Sequence, residues 1–124
     1  MPNFKEKRQQ MVERQLKARN ITDERVLKAM AEVPRHKFVP PESRDQAYAD
    51  HPLSIGHGQT ISQPYVVAIM CQFLELTGDE KVLDVGSGSG YQTAVLSHLA
   101  KKVVGIEVVP DLAKSARQTL NDLN

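Results

Sequence analysis

A single cysteine, Cys71, in 124 residues excludes an internal disulfide and suits a reducing compartment. No apolar run approaches the ~18 residues of a membrane span, and the polar N-terminus lacks the apolar core of a signal peptide. These absences point to a cytoplasmic location and give no reason to expect a membrane partner. The net charge of +1 offers no electrostatic case for nucleic acid. Basic residues do gather near the start (Lys5, Lys7, Arg8, Arg14, Lys17, Arg19), but Glu6 and Glu13 interleave with them as on a solvated helix face. His36, His51 and His98 have no partners at metal-ligand spacing, so no metal is expected. Internal repeats and low-complexity tracts are lacking too, and the length suits one small domain.

What the chain does have is concentrated in KVLDVGSGSGYQTAVL, residues 81–96. A short apolar run with Val82 and Leu83 predicts a buried strand. Asp84 follows, then Gly86, Gly88 and Gly90, then a helical pattern carrying Tyr91, Val95, Leu96 and Leu99. Strand, glycine turn and helix form the first half of a βαβ unit, with free N–H groups expected at the helix start. The spacing is G-x-G-x-G rather than the G-x-G-x-x-G of dinucleotide sites, and Tyr91 stands where that pattern has its third glycine. A carboxylate beside the turn would repel a diphosphate and welcome a cationic amine. Glu107, ending the next apolar strand at residues 102–106, is placed to accept hydrogen bonds from ribose hydroxyls. Asp84, the three glycines and Glu107 together indicate S-adenosylmethionine, which carries an amine and a sulfonium but no phosphate. Asp84 as a plain turn residue and Glu107 as a solvated strand end are the bland alternatives. Tyr91 is equally suited to flanking the ligand and to packing on the sheet.

Upstream, residues 4–19 predict a mostly exposed amphipathic helix, and Thr22 is expected to cap a second helix whose stripe is Val26, Leu27, Met30 and Val33. Residues 34–41 predict an extended loop anchored by an aromatic residue, and 42–50 a short helix. HPLSIGHGQTISQP, residues 51–64, is aperiodic and rich in glycine, proline and hydroxyl groups, as in a functional loop. An apolar helix over 65–76 follows, with Val67, Met70 and Leu74 as its stripe and Cys71 in the core; a charged amphipathic helix covers 111–123. Ser62 stands where the N-cap of the first of these belongs, ahead of Pro64, and capping is the reading its position favours, with its hydroxyl on a substrate as the alternative. His57, between Gly56 and Gly58, suits either an acceptor pocket or an exposed loop.

GHGQTISQPYVVAIM, VLDVGSGSGYQTAVLSHL and VVGIEVVPDLAKSARQTL, with VPRHKFVP and YADHPLSIGHGQTIS before them, resemble the protein-L-isoaspartate (D-aspartate) O-methyltransferase family over essentially the whole chain. The GHGQTISQP loop is the family-specific part. The resemblance implies a doubly wound α/β fold of the class I S-adenosylmethionine-dependent methyltransferases. The chain would be its N-terminal part: residues 1–60 a helical extension with the substrate loop, residues 61–124 the start of the donor-binding domain. It implies methyl transfer to the free carboxylate of L-isoaspartyl and D-aspartyl residues in damaged proteins, after which ring closure to a succinimide returns some normal aspartate. Ser62 is carried over as the active-site residue; the residues themselves add Thr60 and His57 as candidates on the substrate and Asp84, Gly86, Gly88, Gly90, Tyr91 and Glu107 on the donor. A methyltransferase for another acceptor and a catalytically inactive truncated fragment are the alternatives. Further strands are expected in such an enzyme, so these residues alone are expected to be marginal or self-associating.

Overall fold

A computed structural model describes residues 3–123. The first helix, α1 (Phe4–Met11), is capped by Asn3, whose side chain accepts from the Glu6 N–H at 3.0 Å. It widens into a π-turn at Val12–Leu16, tightens at Lys17–Arg19 and stops at Asn20, which takes φ 67°. The wide turn places Met11, Val12 and Leu16 together in the core, so this segment is less exposed than its charge pattern suggests. Helix α2 (Glu24–Glu32) is capped by Asp23, not Thr22. The Asp23 carboxylate accepts from the N–H groups of Arg25 and Val26, while the Thr22 N–H goes to the Gln72 side chain.

The expected extended loop at 34–41 instead holds a 3₁₀ turn, Arg35–Phe38, because both of its end residues are drawn into the core. A second 3₁₀ turn, Pro41–Gln46, takes the place of the short helix. The aperiodic loop contains a β-hairpin, with β1 (Leu53–Gly56) and β2 (Gln59–Ile61) antiparallel. Its tip, Gly56-His57-Gly58, runs through three successive positive φ values, a path cheap for glycine and costly for His57. Helix α3 (Pro64–Phe73) follows directly.

The glycine motif forms the expected unit. Strand β3 (Lys81–Val85), helix α4 (Tyr91–Ser97) and strand β4 (Lys102–Ile106) make a βαβ crossover, and helix α5 (Pro110–Leu123) comes next. β3 and β4 pair in parallel from Lys81↔Lys102 to Val85↔Ile106. One hydrophobic cluster joins the N-terminal helices to this unit: Leu16, Ile21 and Met30 meet Val67 and Cys71 of α3 and Val95 and Leu99 around α4. Burial pushes the Cys71 thiol up to about 12, consistent with a core role. Of the expected α3 stripe only Val67 is buried; Met70 and Leu74 lie outside the core beside Phe73, which is 76% exposed. Leu83 and Val85 of β3 and Val104 and Ile106 of β4 are likewise exposed on one sheet face.

His36 gives the fold a pH dependence. Its ring stacks on Phe4 with centroids 4.1 Å apart, and its Nδ1 lies 3.0 Å from the Tyr48 hydroxyl. Burial, helped by Arg8, Lys37 and Arg44, lowers its pKa from 6.5 to about 4. Between those values the unfolded chain binds a proton that the folded chain does not, so stability falls as pH drops through that window. Asp50 and Glu80, each held near about 2 by hydrogen bonds, contribute stability that is lost only at lower pH. Melting temperature is therefore expected to decline from neutral pH to about pH 5, and His36→Phe to flatten that decline. An equally steep decline in the variant would remove His36 as its cause.

Candidate donor and acceptor site

The turn after β3 passes through Gly86, Gly88 and Gly90 at φ 75°, 54° and 90°. Such angles call for glycine, and a Cβ on Gly86 would project into open space. Most of the turn's own N–H groups are bonded, while those of Ser89, Gln92 and Thr93 have no partner among the described residues, as expected at a helix start. Gly86 and Ser87 both donate to the Ile106 carbonyl (2.8 and 3.0 Å), and Gly90 donates to the Ser87 carbonyl (2.9 Å). Gly88 donates to Glu107 Oε1 at 2.8 Å, and Tyr91 to Ser89 Oγ at 3.3 Å. A phosphate here would meet two carboxylates, Asp84 and Glu107.

Those carboxylates are fixed. Asp84 Oδ2 accepts from the Thr93 hydroxyl at 2.7 Å. Glu107 Oε2 accepts from the Val109 N–H at 3.0 Å, and the Val109 and Gly88 N–H groups hold the Glu107 carboxyl below the usual carboxylate range. Each carboxylate can accept further bonds, since it offers about four lone-pair positions. Gly105 of β4 lets the turn sit close: a Cβ there would lie 3.0 Å from Ser87 Cβ and 3.1 Å from Thr93 Oγ1.

The hairpin supplies the other half. Ser62 is not the α3 cap; that position falls to Gln63, which makes no side-chain capping bond. Ser62 is exposed, and its hydroxyl has no hydrogen-bond partner among the described residues, whereas its carbonyl accepts from Arg35 Nη2 at 2.8 Å. Thr60, Ser62, Asp84, Gly86, Gly88 and Gln92 help to line one cleft of about 60 Å³. Hydroxyls from one segment and the glycine turn from another thus face a shared space. His57 sits at the hairpin tip, its Nε2 3.9 Å from Asp111 at the start of α5, and does not line this cleft. The Tyr91 ring is 1% exposed and packs edge-on against Phe38, so of its two alternatives the side chain takes the packing role. Burial raises its hydroxyl to about 12.

A larger cavity of about 510 Å³ lies between α2, α4, β4 and α5, with Val33, His98 and Leu120 in its wall. Neither a glycine of the turn nor a residue of the hairpin lines it, so it is separate from the cleft that Ser62 shares with the glycine turn. No group of three or more His, Cys, Asp or Glu side chains suited to a metal ion occurs among the described residues. Sequence reasoning missed Arg35, Thr93 and Gly105. Pro34 immediately before Arg35, and a glycine inside the apolar run VVGI, were the available signals.

Comparison with known proteins gives the family. The family model for protein-L-isoaspartate(D-aspartate) O-methyltransferase matches residues 6–124. Protein-L-isoaspartate O-methyltransferase 1 of Syntrophobacter fumaroxidans is 58% identical over 99% of this chain and 58% of its own length. Protein-L-isoaspartate O-methyltransferase 2 of an Anaeromyxobacter species is 60% identical over 94% of this chain and 48% of its own. The chain thus spans about half the length of the curated relatives it matches. Among solved structures, a Plasmodium falciparum protein-L-isoaspartate O-methyltransferase in complex with S-adenosyl-L-homocysteine superposes with a TM-score of 0.79. It is 31% identical, with 98% of this chain and 56% of that one covered. The fold is that of the class I methyltransferases, with Asp84 and Glu107 held beside the glycine turn and Ser62 sharing a cleft with Asp84. With the family model matching nearly from end to end, the chain belongs to the protein-L-isoaspartate(D-aspartate) O-methyltransferase family.

Proposed function

We propose that the protein methylates the free carboxylate of L-isoaspartyl, and D-aspartyl, residues in damaged proteins, with S-adenosylmethionine as donor. The observation that carries this reading is the shared cleft of Ser62 and Thr60 with Asp84, Gly86 and Gly88. When bound, the donor supplies a methyl group made electrophilic by its sulfonium. The residues fit it: Asp84 retains accepting capacity for an ammonium, Glu107 for ribose hydroxyls, and Gly86 and Gly88 permit close backbone approach. The Gly90 turn and the Tyr91 backbone complete that side. Ser62, with Thr60, orients the acceptor carboxylate. His57, at the hairpin tip, would meet the substrate outside the cleft. The acceptor is already ionised at neutral pH, so the site's work is orientation and exclusion of water, not proton abstraction.

Residues 1–60 would then form a helical extension with the substrate loop, and 61–124, with Ser62 near their start, the first part of the donor-binding domain. A cytoplasmic location fits the lone buried Cys71 and the lack, among the described residues, of a helix long and apolar enough to cross a membrane. With labelled donor and the protein at its full encoded length, an L-isoaspartyl peptide is expected to take label and its aspartyl twin to take none. Equal labelling of the two, or labelling of a small molecule alone, would contradict the assignment.

The bare face formed by Leu83, Val85, Val104 and Ile106 supports a further reading of the 124 residues prepared alone: they self-associate. Sedimentation is expected to show oligomers that dissociate in a Val85→Lys, Ile106→Lys double variant. A monomeric parent chain would remove this reading.

A further inference from the structure

Arg35 is completely buried, yet it takes part in none of the ion pairs among the described residues. Its Nε donates to the Ala47 carbonyl at 2.6 Å and its Nη2 to the Ser62 carbonyl at 2.8 Å. Its Cζ lies over the Tyr91 ring, 4.8 Å from the centroid, and Nη1 is buried without a partner. A buried charge with no counter-ion is costly, and a well-packed apolar side chain of similar volume is often no less stable in such a place. The guanidinium offers what no apolar group can, a rigid planar fork that bonds in two directions and stacks in a third. Here it joins the segment before the hairpin (Ala47), the hairpin exit (Ser62) and the first residue of the helix after the glycine turn (Tyr91). Ser62 and Tyr91 border the same cleft.

We propose that Arg35 is a positioning residue for methyl transfer: by tying the Ser62 carbonyl to the Tyr91 ring, it sets the distance between the Ser62 hydroxyl and the glycine turn. The proposal rests on the methyltransferase reading above. Displacements of about 1 Å cost such a reaction on the order of a hundredfold, so holding these two segments in register is a sufficient reason for the buried charge.

Lysine at this position keeps the charge and loses the fork. In the protein at its full encoded length, Arg35→Lys is expected to lower kcat about tenfold or more, with the Kd for S-adenosylhomocysteine within about twofold. In a Ser62→Ala background the same substitution is expected to cost less than about threefold, because Arg35 acts through Ser62. Equal losses in both backgrounds would mean that only the fold is weakened and would overturn the proposal.

Amide hydrogen exchange tests it independently of activity. Arg35→Lys is expected to speed exchange at residues 59–63 about tenfold and leave residues 93–97 unchanged. Uniform acceleration would also overturn it. If the parent protein proves inactive on isoaspartyl peptides, that result counts against the function reading, and the exchange pattern still decides the role of Arg35. Should Arg35→Lys not fold, Arg35→Met takes the same measurements, with the same outcomes decisive.

Discussion

Replacing Ser62 with alanine is expected to lower turnover on an isoaspartyl peptide about 10- to 150-fold, the loss of one hydrogen bond to a charged group at roughly 1.5–3 kcal/mol. Donor affinity should stay within about twofold, because no donor-binding group bonds the Ser62 side chain. Stability is the discriminating control. Had Ser62 capped α3, its removal would cost roughly 0.5–2 kcal/mol. The cap position is Gln63, and the Ser62 hydroxyl is exposed and unpartnered among the described residues. The melting temperature should therefore scarcely move. Steady-state kinetics with a thermal melt separates the roles: normal turnover in the variant would remove Ser62 from the acceptor site.

Glu107→Ala is expected to weaken S-adenosylhomocysteine binding by at least about 10- to 150-fold, for two reasons. The carboxylate would lose its bonds to the ribose. The turn would also lose its clamp, since Glu107 accepts from both Gly88 and Val109. Glu107→Gln separates these effects, because its carbonyl oxygen can still accept from Gly88 while its amide donates where a ribose hydroxyl needs an acceptor. An intermediate affinity for Gln is expected by calorimetry. Unchanged affinity in the alanine variant would remove Glu107 from the donor site.

The strand, glycine turn and helix of the candidate donor site were legible in the sequence because their determinants are local. A strand ending in Asp84, glycines at alternate positions and a helical stripe lie within one short stretch, and the parallel register puts Glu107 beside Gly88. What the stretch did not reveal is that the N–H groups of Gly86 and Ser87 are taken, because their acceptor is the Ile106 carbonyl on the neighbouring strand. The hairpin was illegible for a different reason. Its strands have four and three residues and are largely exposed, so hydrophobic alternation carries almost no signal. His57 also occupies a left-handed position where glycine or asparagine is the usual marker. Arg35 was hidden most deeply. A basic residue between prolines reads as solvated, and only long-range contacts to Ala47, Ser62 and Tyr91 make it a core residue. The exposed Met70 and Leu74 show the reverse error: helical period fixes which residues share a face, not whether anything covers it.

Chemical-shift mapping of the isotope-labelled protein, at its full encoded length, tests the central claim that donor and acceptor meet between the hairpin exit and the glycine turn. S-adenosylhomocysteine is added first and an L-isoaspartyl peptide second. Shifts are expected at Gly86, Gly88 and Glu107 in the first step and at Thr60 and Ser62 in the second. Shifts confined to Val33, His98 and Leu120, around the larger cavity, would contradict the claim.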